Sequence, residues 1–378
     1  MTTGDTLPTT SNSKKVTLRR DQGRTITLTM PLKAGCYEHL CHNEQFEVAN
    51  FIRLKSQRSE NTQRAYVTQL EKFLIWMQVT GVSVIDEWAL LDYQQVLMDP
   101  PVTLQNHCLV TFNPNSEETT DHYLDIIRGF VRHLHDKNLL PYNPALMVKS
   151  LSVRNKSALD VARHFSDLQW DAMLDTLTTL PAKTPGQRNR KERLRFCILF
   201  QYAMGLRINE MAHHSHQAIK PSQNDWRLHI IGKGRRARNL TLDAVAMETL
   251  WRYRSFLKLP EQPQREPLPL LPAVRPVIIK TRGPHAGCHI NAQAVTPSNW
   301  QRLFKQFIEK DVMGNLYDNI TMRTIAYEDE WQHFSPHALR HTRITHLVER
   351  EKKELLYVQK FAGHENLNTT GNYFHVKI

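Results

Sequence analysis

The stretch SPHALRH at residues 335–341 is the most informative part of the chain. Ser335 followed by Pro336 is typical of a helix start, because serine caps the first turn and proline fits the first helical position. The helix places His337 and Arg340, three residues apart, on one face, so that both can touch one substrate group. Such a pair also recurs by chance, and its meaning depends on the motifs around it.

Two upstream motifs add positive side chains of the same kind. In GLRINE, Arg207 supplies a second guanidinium, and with Arg340 it forms a candidate clamp for the charge that develops on a phosphodiester under attack. Glu210 either forms an ordinary salt bridge with Arg207 or holds that arginine in position for substrate. In the glycine-bearing turn GKGRRAR, Lys233 suits a general acid on the leaving oxygen, and an ordinary phosphate contact is the alternative.

The third motif lies near the carboxyl end and contains His364 and Tyr373. The tyrosine is the candidate nucleophile, because attack on phosphorus gives a covalent ester that stores the bond energy without ATP or metal. His337 is the candidate base for its proton, and His364 can donate a hydrogen bond to the phosphate in the transition state. Taken alone, such a tyrosine is more often a partly buried packing residue. The set predicts phosphodiester cleavage with no cofactor and no metal.

The composition favours a polyanionic partner. The 378 residues carry a formal net charge of +12 and have a pI of about 9.5, which favours binding to nucleic acid. The sequence has neither a long apolar run nor a signal peptide, so we expect no membrane association and a cytoplasmic, nucleoid-associated protein. The five cysteines show no repeated CxxC spacing and indicate neither a disulfide framework nor a zinc site.

The order of these patterns predicts a mainly α-helical protein with a small β-sheet. We expect a basic N-terminal arm at 1–40, a helical DNA-binding domain at 41–150, a linker at 151–160 and a catalytic domain at 161–378. The arm is either a flexible basic tail with one strand, at 25–29, or a second DNA-binding module.

Arginines on helical faces and in the basic turn are candidate DNA contacts. A helix at 117–136 leaves Arg128 and Arg132 on its outer face, and a helix that begins after Ser59 leaves Arg64 outside its apolar stripe. Ordinary solvated faces are the alternative for either helix alone. The full set of candidates is Arg64, Arg128, Arg132, Arg235, Arg236 and Arg238.

The second half of the chain contains further periodic segments. Their patterns predict helices at 166–177 and 190–204, strands at 226–231 and 237–242, and a proline-rich loop or extended segment at 260–297.

In this order and spacing, the motifs resemble those of tyrosine recombinases of the phage integrase family over residues 43–378. GLR with Glu210 resembles the first arginine box, GKG the lysine hairpin, HALRH the second box, and the segment from Gly363 to Tyr373 the nucleophile region. NTQRAY at 61–66 resembles the opening of the family's helical core-binding domain. The resemblance implies that domain, a mixed α/β catalytic domain and six catalytic residues: Arg207, Lys233, His337, Arg340, His364 and Tyr373.

By the same resemblance, the two domains should form a clamp around double-stranded DNA with inverted-repeat core sites. A monomer or dimer should assemble into a homo-tetramer on DNA, cleave through a 3′-phosphotyrosyl link and rejoin strands through the free 5′-hydroxyl. One alternative is a type IB topoisomerase, which uses a similar nucleophile as a monomer. Another is a catalytically silent DNA-binding accessory protein. His337 and the helical domain favour the recombinase, and binding alone has no use for Tyr373.

Overall fold

The structure is a computed structural model that describes residues 14–19, 25–57, 60–151, 164–232, 236–263, 267–273, 277–280, 288–291, 293–318, 331, 334–364 and 370–371. The chain divides into two compact units, Met1–Asn155 and Lys156–Ile378. Each unit encloses its own apolar core. The boundary falls within the linker expected at 151–160, of which residues 152–160 lie outside the described residues.

The described part of the first unit is mainly helical, and a β-hairpin is its first element. Its elements in chain order are β1 (Lys15–Arg19), β2 (Thr25–Thr29), α1 (His42–Ser56), α2 (Glu60–Thr80), α3 (Glu87–Met98), α4 (Val102–Gln105), α5 (Glu117–Asp136) and a 3₁₀ turn (Pro144–Leu146).

The hairpin belongs to the core of this unit. Its strands are antiparallel, and Val16 pairs with Leu28. Both side chains are buried with the apolar side chains of the helices, and both strands pack on α1. The interpretation of this segment as a flexible tail with one strand is therefore wrong for the described residues. Apolar residues alternate along both strands, so each strand presents an apolar face that must be covered.

The two long helices of the unit bury the faces that the sequence predicts. In α2, Leu70 and Leu74 are buried, and in α5, Leu124 and Ile127 are buried. The predicted bounds of α5 are confirmed. Its start is local in origin, because the hydroxyl of Ser116 accepts a hydrogen bond from a backbone N–H of the first turn.

The second unit combines helices with small antiparallel sheets. Its helices are α6 (Asp167–Thr179), α7 (Pro185–Ala203), α8 (Ile208–Ala212), α9 (Ala244–Phe256), α10 (Pro297–Gln306), α11 (Met313–Asp318), α12 (Pro336–Glu349) and α13 (Leu355–Ala362). Its strands are β3 (Ile219–Ser222), β4 (Asp225–Ile231), β5 (Ala237–Thr241), β6 (Val277–Lys280) and β7 (Cys288–Asn291). A π-helical turn, Phe307–Val312, connects α10 to α11.

The predicted pair of strands around the basic turn is confirmed as β4 and β5. They pair antiparallel with Ile231 opposite Ala237, and the sheet has the order β3-β4-β5. Strand β3 was not predicted, because it is short and Pro221 interrupts its pattern. Strands β4 and β5 therefore flank the basic turn, of which residues 233–235 lie outside the described residues.

Helix α7 is the central helix of the second unit and starts earlier than the sequence predicts, at Pro185. Its buried Gln201 is a polar connection between distant segments. The side-chain amide donates to the carbonyl oxygens of Leu206, at 3.3 Å, and Pro336, at 3.2 Å. Its oxygen accepts from the Trp300 indole at 2.9 Å. One side chain thus fixes the turn after α7 relative to the start of α12.

Where the structure describes it, the proline-rich segment is mostly extended or irregular, as predicted, and contains β6 and β7. Leu268, Leu270 and Leu271 are fully buried in the core of the second unit. The segment is therefore anchored to the unit through its apolar residues.

Within the described ranges, no helix is long and apolar enough to cross a membrane. The same part of the chain contains no group of three or more His, Cys, Asp or Glu side chains arranged to hold a metal ion. Cys36, Cys41, Cys108 and Cys197 are free thiols.

Candidate active site

Arg207 lies directly before α8, at the turn that follows α7. Gly205 makes this turn possible with φ +55°, a left-handed conformation that glycine adopts without a steric penalty. The buried carboxylate of Glu210 accepts hydrogen bonds from the Arg207 backbone nitrogen at 2.8 Å and from Nη1 at 3.0 Å. The salt bridge between Arg207 and Glu210 is thus present, and the Arg207 side chain is 30% exposed. That Glu210 holds this arginine in position for substrate stays a prediction.

Arg340 lies in α12 and is 2% exposed. Its Nη1 donates to the carbonyl oxygen of Gly205 at 2.6 Å, and its Nη2 donates to the carbonyl oxygen of Ala362. The first bond joins α12 to the turn that carries Arg207. The second joins α12 to the C-terminal end of α13, just before His364.

His337 is exposed in the first turn of α12. The predicted helix start is confirmed: Pro336 is the first helical residue, and the hydroxyl of Ser335 accepts a hydrogen bond from the His337 backbone nitrogen at 3.3 Å. The imidazole lies 4.6 Å from the ring of His341, centroid to centroid, in an edge-on arrangement. Exposure leaves His337 accessible to a substrate, whereas Arg340 one turn later is buried.

His364 follows the C-terminal cap of α13, where Gly363 adopts φ +62°. Its Nδ1 lies 2.9 Å from the hydroxyl of Thr370. Burial, followed by the positive charges of Arg340 and Arg207, lowers the pKa of His364 to about 4. The imidazole is therefore neutral near pH 7, with one nitrogen that donates and one that accepts.

Lys233 and Tyr373 lie outside the described residues, as does Arg235, so their catalytic and DNA-binding roles stay predictions. The base of the basic turn is described. The backbone nitrogen of Gly232 donates to the carbonyl oxygen of Arg236 at 2.8 Å and closes the hairpin of β4 and β5.

Arg207 and Arg340 meet at the end of α13. Nη2 of Arg207 donates to the carbonyl oxygen of Gly363 at 3.3 Å, and Arg340 binds the preceding carbonyl, that of Ala362. Consecutive Cα atoms are about 3.8 Å apart, so the two guanidinium groups are neighbours. Two permanent cations beside the neutral imidazole of His364 form a site suited to a phosphate whose charge grows during reaction.

The candidate DNA contacts of the first unit differ in exposure. Arg64 and Arg132 are exposed, whereas the side chain of Arg128 is 16% exposed. Arg128 donates to the carbonyl oxygens of residues 148 and 149 at 3.1 and 2.9 Å. Its guanidinium therefore holds the chain where it leaves the helical unit.

The two described arginines of the basic turn also differ. Arg236 is exposed at the base of the turn. The side chain of Arg238 is 12% exposed, donates through Nη2 to Glu210 at 2.8 Å and donates through Nη1 to the carbonyl oxygen of Phe361 at 3.0 Å. Sequence reasoning placed Arg238 with the DNA contacts and missed this inward position. It also missed the structural role of Gln201. The signal for that role was a single amide side chain within an otherwise apolar stretch of helix.

A model of the phage integrase family matches residues 169–378, which is more than half of the chain. The chain belongs to the phage integrase family. The positions of the six predicted catalytic residues lie within the matched range. The resemblance inferred from the sequence motifs is thereby confirmed.

Similar proteins with assigned activities are tyrosine recombinases. The chain is 24% identical over 332 residues to tyrosine recombinase XerC of Bacillus licheniformis, covering 86% of this chain and 89% of the relative. It is 27% identical over 272 residues to tyrosine recombinase XerC of Chlamydia trachomatis, covering 70% of this chain and 69% of the relative.

Solved structures of similar fold are recombinases bound to DNA. XerH site-specific recombinase in a post-cleavage complex with palindromic difH gives a TM-score of 0.56 at 20% identity, covering 91% of this chain and 88% of that one. Tn1549 transposon integrase with transposon right end DNA gives 0.57 at 12% identity, covering 88% and 95%. A lambda integrase dimer on a core site gives 0.54 at 11% identity, covering 87% and 76%. The predicted fold class is confirmed.

Members of this family cleave and rejoin DNA through a tyrosine intermediate, so the chain is a DNA strand-transfer enzyme of the tyrosine recombinase type. The comparisons favour neither a type IB topoisomerase nor a catalytically silent DNA-binding protein. DNA is therefore its partner.

Proposed function

We propose that this recombinase acts at inverted-repeat core sites in duplex DNA, as a homo-tetramer that assembles on DNA from monomers or dimers, on the nucleoid in the cytoplasm. The convergence of Arg207 and Arg340 on consecutive carbonyls before His364 carries the chemical part of the proposal. The family match over the same unit supports it.

Cleavage is proposed as an in-line displacement by Tyr373. The phenolic oxygen forms a bond to phosphorus while the bond between phosphorus and the 5′ oxygen breaks. His337 takes the phenolic proton, and Lys233 gives a proton to the departing 5′ oxygen, so charge and protons balance. The product is a 3′-phosphotyrosyl link and a free 5′-hydroxyl, which attacks the partner's link to complete exchange.

Arg207, Arg340 and His364 are proposed to act on the non-bridging oxygens. Guanidinium groups keep their protons and offer planar pairs of donors, which suits the charge of the pentavalent phosphorus. With 30% of its side chain exposed, Arg207 is ready for the phosphate. Arg340 is 2% exposed, so its contact with the phosphate requires a rearrangement on DNA binding.

The first unit is proposed as the core-binding domain, within 41–150, and the second as the catalytic domain, within 161–378. The exposed Arg64, Arg132 and Arg236, together with Arg235, are proposed to contact DNA phosphates. Arg128 is proposed to act indirectly, because its donors hold the chain at residues 148 and 149.

Trapping of the covalent intermediate tests the reaction. Mapping of protein–DNA adducts across the DNA that flanks the gene identifies the site, and a nicked duplex of that site traps the intermediate. The wild-type protein should form the adduct in EDTA, whereas Tyr373→Phe should bind the duplex and form none. Absence of any wild-type adduct, or an adduct with Tyr373→Phe, contradicts the proposal.

Arg340→Ala tests the clamp. Loss of one charge-stabilising donor set should lower cleavage by about 100-fold or more, while most DNA affinity is kept. Arg340 also binds the carbonyl oxygens of Gly205 and Ala362, so its loss can lower stability as well as activity. Thermal unfolding measures the change in stability, and Arg340→Lys keeps the positive charge while it loses the planar pair of donors. Arg252→Met, which removes the ion pair to Glu192 between α9 and α7, is the matched control for loss of an arginine. Cleavage by Arg340→Ala at the wild-type rate contradicts the assigned role.

The assembly is tested by the mass of the complex on the mapped site. Light scattering should show four protomers joining two duplexes, and recombination should depend on both sites. Efficient relaxation of supercoiled DNA by monomers would instead favour the topoisomerase reaction.

A further inference from the structure

The C-terminal end of α13 binds three arginines at once. Nη1 of Arg238 donates to the carbonyl oxygen of Phe361 at 3.0 Å, Nη2 of Arg340 to that of Ala362, and Nη2 of Arg207 to that of Gly363 at 3.3 Å. The last carbonyls of a helix lack intrahelical partners and carry the negative end of its dipole. Three cations on three consecutive carbonyls thus satisfy this end and reduce their own repulsion.

The buried carboxylate of Glu210 joins two of these arginines a second time. Its Oε1 accepts from Arg207 at 3.0 Å and its Oε2 accepts from Arg238 at 2.8 Å. Each of the two arginines therefore bridges Glu210 and one carbonyl at the end of α13. We call this closed set of Arg207, Glu210, Arg238 and the carbonyls of Phe361 and Gly363 the arginine ring.

The two arginines of the ring differ in what they leave accessible. The side chain of Arg207 is 30% exposed, whereas that of Arg238 is 12% exposed. Both terminal nitrogens of Arg238 donate to protein oxygens. Arg238 therefore faces the interior, and Arg207 is the member positioned to receive a ligand.

We propose that Arg238 is a positioning residue for the recombinase reaction, which holds Arg207 through Glu210 and the segment that carries His364 through the Phe361 carbonyl. This inference rests on the proposed function. Because Arg238 belongs to β5, the ring also ties the base of the hairpin that carries Lys233 to the same point. Three chain segments that carry predicted catalytic residues are thus connected before any phosphate binds.

Gly363 is the position that permits this close approach. A β-carbon on Gly363 would lie 2.5 Å from Nη1 of Arg238, and its φ of +62° disfavours any other residue. Gly363 therefore does more than end α13, because the absence of a side chain there leaves space for the guanidinium of Arg238.

The test compares Arg238→Met and Arg238→Lys with Arg252→Met, which breaks a bidentate arginine–glutamate pair on α9 and α7. The readout is adduct formation on the mapped nicked duplex, as a function of DNA concentration. Arg238→Met should cleave about 100-fold more slowly at saturating DNA, because the clamp is misplaced, with little change in half-saturation. Arg238→Lys should recover part of the rate, since an ammonium can replace one of the two bonds. Arg252→Met should behave as wild type.

Two outcomes overturn the proposal. The first is cleavage by Arg238→Met at the wild-type rate. The second is a cleavage defect that disappears when the DNA concentration is raised, because that result indicates a direct contact between Arg238 and a DNA phosphate. Circular dichroism and thermal unfolding show whether each variant folds. If Arg238→Met does not fold, Arg238→Lys is used in its place. Cleavage by Arg238→Lys at the wild-type rate, or a defect that disappears at high DNA concentration, then overturns the proposal.

A measurement without DNA separates this inference from the proposed function. Arg238 is among the charges that lower the pKa of His364, after burial, Arg340 and Arg207. With ¹³C-labelled histidine and His364→Gln for assignment, NMR titration between pH 7 and 4 should show a higher His364 pKa in Arg238→Met, which lacks this charge, than in Arg252→Met, with Arg238→Lys between the two. No change in Arg238→Met overturns the ring. A wild-type protein that forms no adduct overturns the proposed function and leaves this result intact.

Discussion

Gly205 lies directly against the ring of Phe361: a β-carbon at Gly205 would lie 2.5 Å from Cε1 of that ring. The same glycine has φ +55° and offers its carbonyl oxygen to Nη1 of Arg340 at 2.6 Å. The turn that carries Arg207 and the helix that leads to His364 are therefore packed without room for a methyl group.

Gly205→Ala should destabilise the second unit and slow cleavage. The left-handed backbone and the overlap with Phe361 together should lower the free energy of unfolding by about 2–4 kcal/mol, and the displaced carbonyl should disturb Arg340. Urea denaturation measures the first effect, and adduct formation on the nicked site measures the second.

The control for Gly205→Ala is Gly81→Ala in the first unit. Gly81 also has positive φ, +73°, but its β-carbon would meet nothing within 4 Å. This variant should lose only the backbone contribution, about 1–2 kcal/mol, and should cleave normally. Equal losses in the two variants would show that contact with Phe361 is unimportant.

Thr370 should fix the tautomer of His364. If the Thr370 hydroxyl donates to Nδ1, the proton of the neutral imidazole lies on Nε2, which can then donate to the phosphate. Thr370→Val should slow adduct formation by about tenfold or more, because this orientation is lost, whereas Thr370→Ser should retain most of the rate. Two variants with the same rate would refute the role of the hydroxyl.

Three histidines with lowered pKa values should make the second unit sensitive to mild acid. Burial is the main cause that lowers the pKa of His216 to about 3 and those of His346 and His364 to about 4, from 6.5. The unfolded chain therefore binds more protons between pH 6.5 and 4, so the free energy of unfolding falls as the pH is lowered through that window.

Urea denaturation at pH 7, 6 and 5 measures this effect above the range where carboxylates titrate. The buried His216 and His346 should each contribute about 1–2 kcal/mol of the loss at pH 5. His346→Gln should show a smaller loss than wild type over the same range. Stability that does not change between pH 7 and 5 would contradict the assignment of these histidines as neutral.

Asp121 should hold the chain where it leaves the first unit. Its carboxylate accepts hydrogen bonds from the Ser150 hydroxyl and from the Leu151 backbone nitrogen, the latter at 3.0 Å. Loss of these charge-assisted bonds in Asp121→Ala should make local opening about 10-fold more frequent. Trypsin should then cut after Lys149 correspondingly faster. Asp136→Ala, on the exposed end of the same helix, should be cut at the wild-type rate. If Asp121→Ala is also cut at the wild-type rate, Asp121 does not hold the chain at residues 150 and 151.

Local signals in the sequence predicted much of the fold. The starts of α6 and α12 follow from Ser166 and Ser335, because capping depends on residues within one turn. The strands β4 and β5 follow from alternation around a glycine-bearing turn. The identities of Arg207, Arg340 and His364 were available from motif spacing, and the structure places these three side chains together.

Contacts between distant segments were not predictable in the same way. Arg238 has its partners in α8 and α13, so its assignment as a surface cation followed from the charge of the basic turn alone. The alternation of side chains along β5 did indicate an inward position for Arg238, because Arg238 lies on the same face of the strand as the buried Leu240. Gln201 similarly connects three segments that only the folded unit brings together.

The N-terminal hairpin, which packs on α1 through Val16 and Leu28, changes where a fragment for separate expression should begin. A piece that starts at residue 41 would lack Val16 and Leu28 and would expose the face of α1 that they cover. Such a truncated polypeptide should self-associate through that uncovered surface. Biochemists who want the helical unit alone should retain the chain from before Lys15 onward.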